Sequence, residues 1–202
     1  MNVLCLDLEG VLVPEIWQAV AEVTAIEALL TTTRDVPVYD DLMKFRLDTV
    51  DKHDIRMSTI VDIIDNLDPL PGAADFLDWA QQRFQVAIVS DTFYEFAMPL
   101  MAKLEFPLLL CHKLEVDDDR IVGYRLRQDD PKRQSVRAFK SLNYTVLAAG
   151  DSFNDVSMLQ EADTGYFFNA PVNVTAAHPD IEAVEGYQAL QAVLGNSSSG
   201  RI

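Results

Sequence analysis

Four short apolar runs punctuate the chain: Val3-Leu4-Cys5-Leu6, Val86-Ala87-Ile88-Val89, Val146-Leu147-Ala148-Ala149 and Tyr166-Phe167-Phe168. None alternates with polar residues and each is too short for a globular helix, so the pattern predicts strands buried on both faces of a parallel sheet. The stretches between them carry apolar residues at helical spacing. Phe76, Leu77 and Ala80 precede the second run, Phe96, Leu100, Met101 and Leu104 follow it, and Val136, Phe139 and Leu142 precede the third. Strand and helix alternating in this way predicts right-handed crossovers and an α/β fold with a doubly wound, Rossmann-like parallel sheet.

Residues 14–70 break that rhythm. They show helical spacing at Ile16, Val20 and Val23, at Leu42, Phe45 and Val50, and at Ile60, Ile63, Ile64 and Leu67, with no strand between. The reading is a small helical bundle inserted after the first strand into a core formed by residues 1–13 and 71–202. Pro69-Leu70-Pro71-Gly72 makes the return hinge, because two prolines and a glycine stop the preceding helix. A second interruption, Lys113 to Leu126, has strand-like halves around Asp117-Asp118-Asp119 and predicts a hairpin flap.

Composition narrows the function. Sixteen Lys and Arg stand against 32 Asp and Glu, a formal charge of −16. Sequence-independent binding to nucleic acid or anionic membrane needs basic residues at each phosphate, so neither partner is expected. No stretch approaches the roughly 20 apolar residues of a membrane span. The run after Met1 has no basic flank, so no secretory signal is expected. Cys5 and Cys111 both lie in apolar surroundings, as free thiols of a reducing cytoplasm do. Nothing in the residues fixes an oligomeric state.

In an open α/β sheet, ligands bind beyond the carboxyl ends of the strands. Asp7 and Glu9 follow the first apolar run, Ser90 and Asp91 the second, and Asp151, Asn154 and Asp155 the third. Three chain segments thus bring carboxylates and a hydroxyl to one rim. Crowded carboxylates repel one another, and a hard divalent cation such as Mg²⁺ resolves the conflict. Asp130 and Pro131 look like the N-cap and first residue of a helix. Lys132 then sits in the first turn, where the macrodipole disfavours it unless it faces an anion.

These segments carry a resemblance. Asp7-Leu8-Glu9-Gly10-Val11, Ser90, Lys132 and Gly150-Asp151-Ser152-Phe153-Asn154-Asp155 resemble, in order, the four motifs of the haloacid dehalogenase superfamily of phosphotransferases. The helical insertion resembles the small cap of its phosphoserine phosphatases. Asp-Leu-Glu-Gly-Val-Leu-Val-Pro-Glu, Ser-Asp-Thr-Phe-Tyr-Glu-Phe and Asp-Pro-Lys-Arg-Gln-Ser are similar to the bacterial branch that joins phosphoserine phosphatase to homoserine phosphotransferase activity.

The resemblance implies a small-molecule substrate, O-phospho-L-serine, with homoserine as a second phosphoryl acceptor, and Mg²⁺ as cofactor. Asp7 would be the nucleophile and a metal ligand. Glu9 would be the acid and base, its main chain reaching the metal. Ser90 and Lys132 would hold the phosphoryl group, with Asp91 beside them, and Asn154 would donate toward phosphate or substrate. Asp151 would bind the metal directly and Asp155 from behind. Glu15 would face the substrate ammonium and Arg46 its carboxylate.

Two positions depart from the common superfamily pattern: Glu9 stands where most members have aspartate, and Asp91-Thr92 where many have small glycines. Glu15 also reads as a dipole partner beside Pro14, and Arg46 as a solvated helix residue. His53, His112 and His178 lack metal-ligand spacing and read as surface or core residues. Two further readings stay open here: hydrolysis of another small phosphomonoester, and a receiver-like domain phosphorylated on aspartate, for which so long a helical insertion would have no use.

Overall fold

The computed structural model describes residues 1–32, 35–36 and 38–199. In chain order the elements are β1 (Asn2–Leu6), α1 (Ile16–Thr24), α2 (Tyr39–Lys52), α3 (Met57–Asp65), α4 (Ala73–Gln81), β2 (Gln85–Phe93), α5 (Tyr94–Lys103), β3 (Leu108–Asp117), β4 (Arg120–Arg125), α6 (Pro131–Ser141), β5 (Thr145–Gly150), α7 (Val156–Glu161), β6 (Thr164–Phe168), α8 (Val172–Ala177), β7 (Glu182–Val184) and α9 (Gly186–Ser199). Among the described residues the strands form one sheet in the order β4-β3-β2-β1-β5-β6-β7, parallel throughout except for the β3–β4 pair. The doubly wound α/β expectation holds, with β1 at the centre.

The continuous apolar run of β1 now has its cause. Leu4 and Leu6 join a cluster with Trp17, Ile60, Phe76, Phe96 and Leu190 on one face, and Val3 and Cys5 join Val136, Val146 and Met158 on the other. A strand covered on both faces has no place for polar alternation. The inserted helices α1 to α3 thus share a hydrophobic cluster with one face of the sheet. Both cysteines are free and buried, and burial pushes the Cys5 thiol up to about 12. Among the described residues no helix is long and apolar enough to cross a membrane.

Several local readings are corrected. Val23, Phe45 and Leu142 keep the helical spacing but are exposed, Leu142 just past the end of α6 at its C-cap. The expected hairpin forms, Lys113 to Asp117 pairing antiparallel with β4; what differs is that β3 begins earlier, at Leu108, where it pairs in parallel with β2. The turn is Asp118-Asp119, both with positive φ, as a two-residue hairpin of this twist requires. Asp130 stands at the N-cap of α6 but makes no side-chain cap bond. Its oxygens instead accept from the Ser157 hydroxyl and pair with Arg133.

The hairpin tip straps the inserted helices down. The Asp119 carboxylate accepts hydrogen bonds from the Ser58 amide at 2.8 Å and the Ser58 hydroxyl at 2.6 Å, and its carbonyl accepts from the Met57 amide at 2.9 Å. A residue 61 positions from Ser58 thereby caps α3, whose own N-cap residue, Arg56, makes no side-chain cap bond. Arg120 reaches Asp51 and Asp54, and the Tyr124 hydroxyl reaches Asp40. Asp119→Ala is therefore expected to lower the melting temperature by a few degrees at neutral pH. The Ser58 bonds hold the Asp119 carboxyl below its ordinary 3.8. That contribution is full above the ordinary value and is lost as pH falls through the lowered one. Melting curves of the two proteins should converge in that acid range; a constant gap would contradict the capping role.

Candidate active site

The rim is built where the sheet's hydrogen bonding gives way. Asp7 immediately follows β1, its amide still bonded to the Ala149 carbonyl at 3.0 Å. In β2 the pairing with β3 is irregular between Val89 and Phe93, which releases Ser90, Asp91 and Thr92 from the ladder, as bulges near functional sites do. Asp151 follows β5, and a 3-10 turn at Phe153–Asp155 brings Asn154 and Asp155 alongside. Glycine is required twice. Gly10 has φ of 76°, and a side chain there would meet the Asp151 carboxylate; one on Gly150 would meet Asp155.

Lys132 is the centre of charge. It is 2% exposed, and its Nζ lies 2.7 Å from Asp155 Oδ1, 3.0 Å from Asp7 Oδ1 and 3.7 Å from Asp91 Oδ2. Burial opposes its charge, but Asp155, Asp7 and Asp91 outweigh burial and hold the ammonium well above its ordinary pKa. One lysine cannot balance the carboxylates around it. Asp7 is raised by burial and by Asp155, and Asp151 is pushed up to about 7 by burial, Asp155 and Glu15. Carboxylate oxygens of Asp7, Asp151 and Asp155 all lie within 4.8 Å of one another. An all-oxygen set this short of positive charge fits a hard divalent cation.

One cavity of about 350 Å³ is lined by Asp7, Glu9, Glu15, Arg46, Ser90, Asp91, Lys132 and Asn154 among others. The structure thus brings eight sequence-predicted residues to a single wall, while Asp151 and Asp155 stand behind it in the acidic cluster. The Ser90 hydroxyl accepts from the Thr92 amide at 3.2 Å, so its own hydrogen is left to donate. Both close contacts of Asp7, from the Leu8 amide at 2.8 Å and Lys132, use Oδ1 and leave Oδ2 outside them. Asp155 is fully buried; its Oδ2 accepts from the Asp151 and Ser152 amides and ties the loop to the lysine.

Glu9 uses its extra methylene. Its Oε2 accepts from the Ile16 amide at 3.0 Å, at the start of α1, so the longer side chain links the strand end to the inserted helix. Burial and the nearby Glu15 push its carboxyl up to about 7, against the opposing pull of the Ile16 amide, Thr92 and Arg46. Such a group exchanges protons readily near neutrality. Arg46 lies with its guanidinium 5.0 Å from the Trp17 ring centroid and donates to the Thr31 carbonyl at 3.0 Å. Among the described residues its buried Nε has no acceptor.

The composition and spacing of the sequence did not mark Trp17, Tyr39 or His112. The Tyr39 hydroxyl donates to the Asp91 carbonyl at 3.0 Å and ties α2 to the β2 rim. His112 is buried beside Asp91, which accords with a core rather than a metal-binding histidine. Their partners lie far along the chain, and the only local signal was an aromatic at the start of a helix or a histidine within an apolar run.

A profile of haloacid dehalogenase-like hydrolases matches residues 1–163. The chain is a haloacid dehalogenase-like hydrolase. This hydrolase is 59% identical over 200 residues to the phosphoserine phosphatase ThrH of Pseudomonas aeruginosa, covering 98% of each chain. It is 57% identical over 192 residues to a phosphoserine phosphatase of Pseudomonas syringae pv. tomato, covering 95% of this chain and 81% of that one. Among solved structures, an apo phosphoserine phosphatase superposes with a TM-score of 0.78 at 19% identity, over 96% of this chain and 97% of that one. The receiver-like alternative falls with the family assignment.

Proposed function

We propose that this hydrolase cleaves O-phospho-L-serine to serine and phosphate with Mg²⁺, through an aspartyl phosphate on Asp7, and passes the same phosphoryl group to homoserine when that alcohol replaces water. The observation that carries the reading is the single cavity wall shared by Asp7, Glu9, Ser90 and Lys132. The two Pseudomonas relatives, both named as phosphoserine phosphatases, support the substrate.

In this account a carboxylate oxygen of Asp7 attacks phosphorus; the aspartyl O–P bond forms and the bond to the seryl oxygen breaks. Glu9 delivers a proton to that oxygen, then takes one from the attacking water or alcohol as the aspartyl bond breaks. Ser90 and Lys132 hold the phosphoryl oxygens, and Asn154 adds an amide at the wall. Asp7, Asp151 and Asp155, with the Glu9 main chain, would hold Mg²⁺, which draws charge from the phosphoryl oxygens when bound. Residues 14–70 serve as the cap over the core of 1–13 and 71–202.

The cap sets the substrate. Glu15 faces the substrate ammonium, and the Arg46 Nε, without an acceptor among the described residues, is a donor suited to the substrate carboxylate. Losing one charge-assisted hydrogen bond corresponds to about 10- to 100-fold in binding, so Arg46→Ala should raise KM for phosphoserine by about that factor. Phosphoethanolamine, which lacks the carboxylate, should be far less affected. An equal loss on both esters would contradict the assignment. The activity itself is tested by phosphate release from a panel of phosphomonoesters with Mg²⁺ and with chelator, then by adding homoserine and looking for O-phosphohomoserine. Absence of metal-dependent turnover on phosphoserine would refute the reading.

A further inference from the structure

Three groups surround one carboxylate that the proposed chemistry leaves without a task. Asp91 Oδ2 accepts from Asn154 Nδ2 at 2.9 Å and lies 3.7 Å from Lys132 Nζ, while Oδ1 lies 3.6 Å from His112 Nε2. The Asp91 carbonyl is taken by the Tyr39 hydroxyl. An anion at the edge of a phosphoryl pocket repels the substrate, and it also competes with Asp7 for the lysine. Such a group must be held in place.

His112 is placed to hold it. The ring sits on β3 where pairing with β2 resumes at Phe93, and it is 3% exposed. Its Nδ1 accepts from the Arg127 amide at 3.1 Å, so Nδ1 carries no proton and the neutral ring bears its hydrogen on Nε2. Tyr39 and Phe93 pack against the ring, with centroids 6.3 and 6.2 Å away. The Nε2 hydrogen therefore faces Asp91.

We propose that His112 is a positioning residue for the reaction. Its Nε2–H, oriented by the Arg127 amide, restrains Asp91 at its present distance from Lys132 and Asn154, so that the lysine stays against Asp7 and the phosphoryl pocket keeps its shape. Without that donor, Asn154 alone restrains the Asp91 side chain against Lys132, and the carboxylate closes on the lysine and draws it from the nucleophile. The inference rests on the phosphatase reading of the site, although it concerns only the phosphoryl pocket and not the groups that recognise serine.

Two substitutions separate the functions of the ring. His112→Gln can place an N–H where Nε2 stood; His112→Asn keeps an acceptor near Nδ1 for Arg127 but loses the donor to Asp91. A small misplacement of reacting groups costs up to about 100-fold, so His112→Asn should lower kcat by about 10-fold or more with KM changed by less than about 3-fold. The loss should appear on both phosphoserine and p-nitrophenyl phosphate. His112→Gln should recover most of it, and His112→Asn should add little further loss in an Asp91→Asn background. Equal losses in the two His112 variants, tracking their melting temperatures, or fully additive losses with Asp91→Asn, would overturn the proposal. A wild-type protein active on p-nitrophenyl phosphate but not on phosphoserine would refute the substrate while leaving this test intact, and inactivity on both esters would overturn both.

Discussion

Asp7→Asn should reduce phosphoserine turnover by ~10⁴-fold, the scale on which loss of a nucleophile abolishes a covalent route. An amide is a poor nucleophile, and the other carboxylates of the cluster have tasks that keep them from replacing it. Asp155 is tied to Lys132 and to two backbone amides, and Asp151 stands outside the cavity wall. The loss should not come from unfolding. Asp7 is one of several carboxylates crowded around a single lysine, and replacing it relieves repulsion that burial intensifies. The metal-free variant should therefore melt no lower than the metal-free wild type, and added Mg²⁺ should stabilise it less. Kinetics with thermal unfolding, with and without Mg²⁺, checks both parts; a variant that keeps a tenth of the activity would remove Asp7 from its assigned role.

Lys132→Met should damage both stability and rate. Methionine has nearly the shape of the lysine stem, so packing is kept while the charge is lost. Asp7, Asp91 and Asp155 would then face one another with no cation in a site where the lysine is 2% exposed. Removing one partner of a buried ion network costs about 3–5 kcal/mol, which for a chain of this size is a fall of roughly 10 °C in melting temperature. Turnover should fall ~10³-fold, because the charge facing the phosphoryl oxygens is gone. Mg²⁺ should restore part of the stability and little of the rate. Wild-type melting in the metal-free variant would show that the lysine does not balance the cluster.

Much of this site could be read from the chain because it is assembled from short segments that each follow a strand. A buried strand announces itself by an unbroken apolar run, and the polar residues just past its end have few places to go but the rim. Asp7, Ser90 and Asp151 belong to that class, and the structure places them as the pattern implied. Lys132 was legible for another reason: a cation in the first turn of a helix is misplaced unless anions meet it, and three do.

What stayed hidden depends on contacts between distant segments. The hydrogen bonds from Ser58 to Asp119 cross 61 positions, and that from the Tyr39 hydroxyl to the Asp91 carbonyl crosses 52. No periodicity encodes such links. The opening half of β3, Leu108-Leu109-Leu110, does not read as a strand because so short an apolar run does not by itself distinguish strand from buried helix, and its parallel pairing with β2 decides. Phe45 and Val23 share the helical spacing of their buried neighbours yet are exposed, since spacing does not tell how far the cover over a helix extends. His112 reads only as a surface or core residue because its surroundings depend on which ring nitrogen the Arg127 amide engages.

The central claim is that the phosphoryl group passes through a covalent bond to Asp7. The most direct measurement is to quench the wild-type enzyme in acid during turnover of phosphoserine with Mg²⁺ and map phosphorylated peptides by mass spectrometry. The account predicts acid-stable, base-labile phosphate on Asp7 in the N-terminal peptide, absent from Asp7→Asn. Phosphate found on another residue, or turnover of Asp7→Asn at the wild-type rate, would contradict it.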